Sequence, residues 1–419
     1  MRSAHLTSGP AAAVRALAVA AIALAAIVAI DRLPQPAPPS TATAPPATGP
    51  ARSYGQLLAQ HDSALAERRE RAGERPGEWL VEEQYARAAL ARARLTGSYD
   101  DYATAEQALG RAFAHAPPGA GPHLSQAVLD LALHRLGPAE QALAAIDRYA
   151  VPPDPGERAE IAAMRGDIAF YRGDYAGALR RYDEADSLEP GIAHFRRAIF
   201  HSKMGRADLA ERHFGLHEQR LAAADRHGRA NVELQRGILD LDAGRTRGAI
   251  AHFRAAGVLF PGWWLVDEHV AEATALLGDT AQAERLYRDV IRRTGSPEFM
   301  DALGALLRAR GAGAEAETLR RQSAAIWERR LRQFPEAAFG HAVDHCLAFA
   351  RPGCALALAR RNFAARPYGE AGEKLARALA ESGRPAEARA VIERVLASGW
   401  RTRDTDRLVH RLAAARSAR

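Results

Sequence analysis

The sequence predicts an all-α protein: a right-handed α-solenoid of stacked helical hairpins, preceded by one N-terminal transmembrane or signal helix. Apolar residues recur at spacings of three and four from about residue 53 onward, which is typical of amphipathic helices. Small residues recur at fixed offsets along the same region, which indicates an internal repeat. A separate apolar run lies near the N-terminus.

The N-terminal run, Ala11 to Ile30, is interrupted only by Arg15 and ends at Asp31. A bilayer needs about 20 apolar residues, so this run spans one only if Arg15 extends toward the cytoplasmic headgroups. Without Arg15, the apolar core has the length of a signal peptide. We predict a signal anchor over residues 1–32, with a cleaved signal peptide as the alternative.

The next segment, residues 33–52, is rich in proline, alanine and threonine and has almost no charge. Such a composition predicts an extended linker. The positive charges of Arg2 and Arg15 precede the apolar core, so the positive-inside rule places the remainder outside the cytoplasm. We therefore predict a single-pass inner-membrane protein of a bacterium with its bulk in the periplasm; the alternative is secretion to the periplasm after signal cleavage.

The repeat is marked by glycines between helical runs. Each marker is followed five residues later by alanine, and most are preceded seven residues earlier by glycine or alanine and followed nine residues later by a large apolar residue. Asp130 is an exception at the earlier position. The markers are Gly137, Gly173, Gly205, Gly244, Gly278, Gly311 and Gly383.

These offsets have a physical reason. Glycine ends the first helix of a pair in a left-handed turn, and small residues on both helices allow the backbones to approach closely. One hairpin cannot bury its own apolar face, so hairpins must stack. The pattern therefore predicts a solenoid.

The same offsets, with Pro190 and Pro261 closing two copies, resemble the tetratricopeptide repeat family. The best copy runs from about Ala159 to Gly191. We predict a helical repeat array of eight or nine hairpins over residues 53–400, followed by a basic C-terminal cap or tail over residues 401–419.

The resemblance implies that a protein or peptide partner binds in a concave groove built from the first helices of the hairpins. The repeat phase assigns five carboxylates to that face, so the groove is expected to be acidic. They are Glu160, Asp167, Asp242, Glu268 and Glu272.

A histidine-rich segment offers a different hypothesis. His341 and His345 lie four residues apart on one helical face, and Cys346 or Asp344 could complete a metal site; the alternative is that the histidines only flank a helix. Cys346 and Cys354 span a predicted turn, and a periplasmic location would favour a disulfide between them, the alternative being two buried thiols.

The remaining signals favour a binding protein over an enzyme. The formal net charge is +7, but the arginines alternate with acidic residues along helices, so we expect no nucleic-acid partner. The sequence contains no common phosphate-binding, serine-nucleophile or zinc-protease motif. It therefore predicts a non-catalytic interaction scaffold without a cofactor; the alternative is a metal-handling module that uses His341, His345 and Cys346.

Overall fold

The computed structural model describes residues 51–417, and helices make up nearly all of this part. An isolated β-bridge joins Met204 and Arg401. The helices are α1 Tyr54–Glu74, α2 Trp79–Thr96, α3 Tyr99–His115, α4 His123–Ala132, α5 Leu136–Ile146, α6 Pro155–Tyr171, α7 Tyr175–Leu188, α8 His194–Lys203, α9 Ala207–Arg220, α10 Arg226–Asp242, α11 Thr246–Leu259, α12 Trp264–Leu276, α13 Thr280–Thr294, α14 Pro297–Ala309, α15 Gly313–Gln333, α16 Pro335–Ala348, α17 Pro352–Ala365, α18 Gly369–Glu381, α19 Pro385–Ala397 and α20 Arg403–Ser417.

Consecutive helices pack as antiparallel pairs, beginning with α2–α3 and ending with α18–α19. Within residues 51–417 this gives nine hairpins, with α1 before them and α20 after them. The predicted all-α solenoid of stacked hairpins is confirmed. The predicted signal anchor lies outside the described residues, and none of the helices described here is long and apolar enough to cross a bilayer.

Six of the seven predicted marker glycines end the first helix of a hairpin in the left-handed region, with φ between 67° and 95°. The prediction for Gly137 is wrong, because this residue lies inside α5. His134, at φ 60°, occupies the turn instead. With the phase moved by three residues, the small residue of this copy is Ala127, which is fully buried, and Asp130 is no longer an exception.

In two hairpins, the glycine seven positions before the turn faces the aromatic residue nine positions after it. A Cβ atom on Gly166 would lie 2.4 Å from the ring of Tyr182 in the same hairpin. At Gly237 the corresponding distance to the ring of Phe253 is 2.2 Å. The ring of the large residue therefore fills the space that the glycine leaves within its own hairpin.

The turns of the early hairpins touch the chain five to six hairpins further along. The backbone N–H of Gly369 donates to the Tyr175 hydroxyl at 2.9 Å, and the N–H of Arg401 donates to the Lys203 carbonyl at 2.9 Å. The Trp264 indole N–H donates to the Leu95 carbonyl at 3.2 Å. The solenoid therefore closes on itself, with later hairpins resting against the turns of earlier ones.

The C-terminal helix α20 packs as a cap through Leu408 and Leu412, which are buried. The hydroxyl groups of Thr402 and Thr405 donate hydrogen bonds to the Glu373 carboxylate on α18. Burial raises the pKa of Glu373 to about 7, and these two hydroxyls oppose the rise. The cap therefore depends on a carboxyl group whose protonation changes near neutral pH.

This pKa predicts a pH-dependent stability. Since the folded chain holds the Glu373 proton more tightly than the unfolded chain, its contribution to stability is lost as pH rises from about 4.5 to about 7. Glu373→Gln removes that loss. Between pH 4.5 and pH 8, the unfolding free energy of E373Q should gain up to about 3 kcal/mol relative to wild type, measured by denaturant titration. Glu393 is exposed, so the free energy of unfolding of Glu393→Gln should depend on pH as in wild type. If the pH dependence of E373Q were also parallel to that of wild type, the prediction would be contradicted.

Candidate functional site

The five carboxylates predicted to line a groove lie on the first helices of hairpins, as the repeat phase required. They occupy α6, α10 and α12. Asp242 is partly buried, and the others are more than nine-tenths buried. Their binding role stays a prediction, but at these positions the first-helix face is interior and not an open surface. The four buried members are Glu160, Asp167, Glu268 and Glu272.

Two of these carboxylates share one buried arginine. The Arg196 Nε donates to Asp167 at 2.9 Å, and its Nη2 donates to Glu160 at 2.6 Å. The Tyr182 hydroxyl also donates to Asp167 at 2.9 Å. Arg196 comes from α8, the next hairpin, so this ion cluster fixes hairpins α6–α7 and α8–α9 against each other.

The protonation of this cluster follows from burial and charge together. Burial raises the pKa of Asp167, and the Arg196 guanidinium opposes the rise. Burial lowers the pKa of Arg196, but the carboxylates of Asp167 and Glu160 outweigh it and raise the pKa above its usual value. Arg196 therefore stays cationic in the interior.

Asp242 has a cation of its own. The Lys203 ammonium donates to its carboxylate at 3.0 Å, and the carboxylates of Asp242, Glu370 and Glu373 raise the pKa of Lys203 against the effect of burial. Lys203 is at the end of α8, and Asp242 is at the end of α10. This ion pair joins two successive hairpins near their turns.

The last two carboxylates have a different environment. Glu268 and Glu272 lie one helical turn apart on α12, with His269 between them, and all three are buried. One possible metal-ligating atom from each lies within 4.8 Å of those of the other two. The Nδ1 of His269 is 2.8 Å from the Leu265 carbonyl oxygen and 2.8 Å from Oε2 of Glu268.

Electrostatics around this cluster are unfavourable to a second negative charge. Burial and the Glu268 carboxylate raise the pKa of Glu272 well above its ordinary value. The neighbouring Asp404 and Asp242 add to the rise, and Arg403 opposes it. Sequence reasoning found the two glutamates but missed His269, because that residue falls outside the groove positions of the repeat.

The structure does not bring His341, His345 and Cys346 together as a metal site. His345 Nδ1 forms a hydrogen bond with the Asp301 carboxylate at 2.8 Å, and the His341 ring stacks on Trp327. Cys346 is bonded to Cys354, so it has no thiolate to offer. The physical reason is that α16 packs against α14, α15 and α17, and both histidine rings make contacts with these neighbouring helices.

The disulfide itself joins α16 to α17. The Cα atoms of Cys346 and Cys354 are 5.8 Å apart across the turn that contains Ala350, at φ 54°. This turn has alanine where most other hairpins have glycine, which explains why the glycine markers in the sequence pass from Gly311 directly to Gly383.

An arginine-lined cleft was missed by sequence reasoning. It has a volume of about 530 Å³ and lies where α14 and α15 meet the turn between α16 and α17. Its lining includes the exposed Arg308 and Arg351, the paired Arg320 and Glu317, and the half-buried Phe349. The positive charge comes from residues 43 positions apart in sequence, so no local pattern could have indicated the cleft.

No protein-family model and no curated protein matches this chain. Among solved structures, yeast Tom70 has 14% identity and a TM-score of 0.40, with 87% of this chain and 88% of that chain covered. TTC0263, a thermophilic TPR protein in Thermus thermophilus, has 20% identity, a TM-score of 0.36 and coverage of 44% and 98%. The human IFIT1 dimer with m7Gppp-AAAA has 10% identity, a TM-score of 0.43 and 86% coverage of both chains. With TM-scores below 0.5, these likenesses carry no conclusion about the function of this chain.

Proposed function

We propose that this chain is a non-catalytic interaction scaffold of a bacterial cell envelope, anchored by its N-terminal apolar run and binding a protein or peptide partner in the periplasm. The support for a scaffold is the architecture: nine stacked hairpins form an extended array whose parts are cross-linked by ion pairs. Such arrays recognise partners with a preformed surface.

Two observations support the envelope location. The run from Ala11 to Ile30 has the composition of a signal anchor, with Arg2 and Arg15 on its cytoplasmic side. The bond between Cys346 and Cys354 is of the kind that persists in oxidising compartments such as the periplasm.

We assign the binding surface to the arginine-lined cleft, and this cleft is the observation that carries the proposal. Arg308 donates to the Ala348 carbonyl at 3.0 Å, which holds α14 against the end of α16. Arg351 extends from the adjoining turn, and Phe349 offers an aromatic face beside it. A cleft with three guanidinium groups, one carboxylate and one ring fits an acidic peptide that carries an apolar anchor.

Site-specific photo-crosslinking tests this function. A photoreactive residue at position 351, introduced into the full chain in intact cell envelopes, should give a discrete adduct that mass spectrometry identifies. Arg320→Glu should lower the adduct yield by about fivefold, the effect of about 1 kcal/mol from one accessible charge.

Position 254 on α11 provides the matched control, since Arg254 is also an exposed arginine but lies outside the cleft. It should give no such adduct. Equal labelling from positions 351 and 254, or an adduct at 351 that is indifferent to R320E, would remove the cleft as the binding surface.

A further inference from the structure

The cluster on α12 is the feature of the interior that the scaffold function does not use. Among residues 51–417, Glu268, His269 and Glu272 are the one group of three metal-ligating side chains that converge within 4.8 Å. Glu268 and Glu272 are four residues apart, so both carboxylates point to one face of the helix. A single helix therefore supplies all three donors.

The charge of this cluster is not compensated as it is elsewhere in the interior. The other groove carboxylates form ion pairs with Arg196 or Lys203, whereas Glu268 contacts the His269 ring and the cation that acts on Glu272 is Arg403. Nearby, Asp242 is neutralised by Lys203, and Arg403 and Asp404 have opposite signs. When both glutamates are ionised, one divalent cation would neutralise the pair.

The donor atoms are also unsatisfied. Within the described residues, Oε2 of Glu272 and Nε2 of His269 are buried and have no hydrogen-bond partner, and the polar neighbour of Oε2 of Glu268 is the Nδ1 of His269 inside the cluster itself. The buried Tyr287 hydroxyl, which both carboxylates influence, has none either. The Leu265 carbonyl beside Nδ1 can accept the ring proton, which leaves Nε2 with a lone pair. A backbone carbonyl on one ring nitrogen is the usual way in which a ligating histidine is oriented.

We propose that Glu268, His269 and Glu272 bind a divalent transition-metal cation, of which Zn²⁺ is the representative. One imidazole and two carboxylates are a donor set that Zn²⁺ accepts, and Zn²⁺ needs no more than three or four protein ligands. Because the cluster is buried in α12 between the hairpins α10–α11 and α12–α13, the cation has a structural role: it neutralises the interior charge and rigidifies the middle of the solenoid.

The test measures zinc retention and stability on the untagged full chain. After dialysis against Zn²⁺ and then metal-free buffer, elemental analysis should show one more Zn²⁺ per chain in wild type than in Glu272→Gln. The affinity of E272Q for Zn²⁺ should be lower by at least about tenfold. A chelator should lower the Tm of wild type and leave that of E272Q unchanged.

Glu82→Gln is the matched control, because Glu82 is also a buried glutamate, but it lies on α2 in the first hairpin, where it pairs with Arg111. It should retain zinc like wild type. Glu268→Gln is the second variant, with the same expected loss, and far-UV circular dichroism verifies that each variant is folded. Equal zinc content in wild type, E268Q and E272Q, or a wild-type Tm indifferent to the chelator, would overturn the proposal and leave a protonated Glu272 as the account of the cluster.

Discussion

Replacement of Arg196 by methionine is expected to lower the free energy of unfolding by about 3–5 kcal/mol. The guanidinium is fully buried and is the cation that neutralises Asp167 and Glu160. Without it, two carboxylates stay in the interior with one tyrosine hydroxyl as the remaining donor to Asp167. Chemical denaturation followed by circular dichroism measures the loss.

The pH dependence of R196M distinguishes charge from lost packing. Since the orphaned carboxylates become neutral by taking up protons, the destabilisation should shrink as pH falls from 8 to 5. The triple variant E160Q/D167N/R196M should recover most of the stability, because it removes the uncompensated charge along with the arginine.

Arg181→Met is the matched control. Arg181 pairs with Glu184, but both side chains are more than two-fifths exposed, so its loss should cost less than about 1 kcal/mol. If the free energy of unfolding fell as little in R196M as in R181M, the buried cluster would not be what holds hairpins α6–α7 and α8–α9 together.

The fold was predictable from the sequence because the repeat signal is local. A turn that ends in the left-handed region selects glycine, and the aromatic ring of the same hairpin selects a small residue opposite it, so both positions are marked in the chain. The prediction failed at Gly137, since His134 holds the left-handed turn and nothing in the sequence marks a histidine for that role. Ala350 obscured the eighth hairpin for the same reason.

The environment of the site was not predictable from the repeat phase. The phase assigned Asp167 to the first-helix face correctly, but its partner Arg196 is 29 residues away in another hairpin. The burial of such positions also depends on hairpins five to six units apart coming into contact, as Tyr175 and Gly369 do across 194 residues. A pattern with a period of one hairpin contains no information about contacts at that range.

The contact between distant hairpins gives the second large expected effect, at Gly173. This residue has φ +75°, and a Cβ atom there would lie 2.8 Å from the backbone carbonyl oxygen of Pro367. Gly173→Ala therefore combines the cost of a left-handed L-residue, about 1–2 kcal/mol, with that of forcing two backbones apart, about 1–3 kcal/mol. The neighbouring hydrogen bond from Gly369 to Tyr175 depends on the same approach.

Gly383→Ala separates the cost of the backbone conformation from the cost of the close contact. Gly383 has φ +74°, but a Cβ atom added there would have no neighbour within 4 Å. It should lose about 1–2 kcal/mol, the cost of the backbone conformation alone. In G173A, hydrogen exchange in α18 and α19 should accelerate more than the global loss of unfolding free energy in that variant explains. The reason is that the added methyl group pushes this hairpin away from α7. Equal losses of stability in G173A and G383A would mean that the chain does not close on itself at Pro367, and the turns of the early hairpins would then be open to a partner.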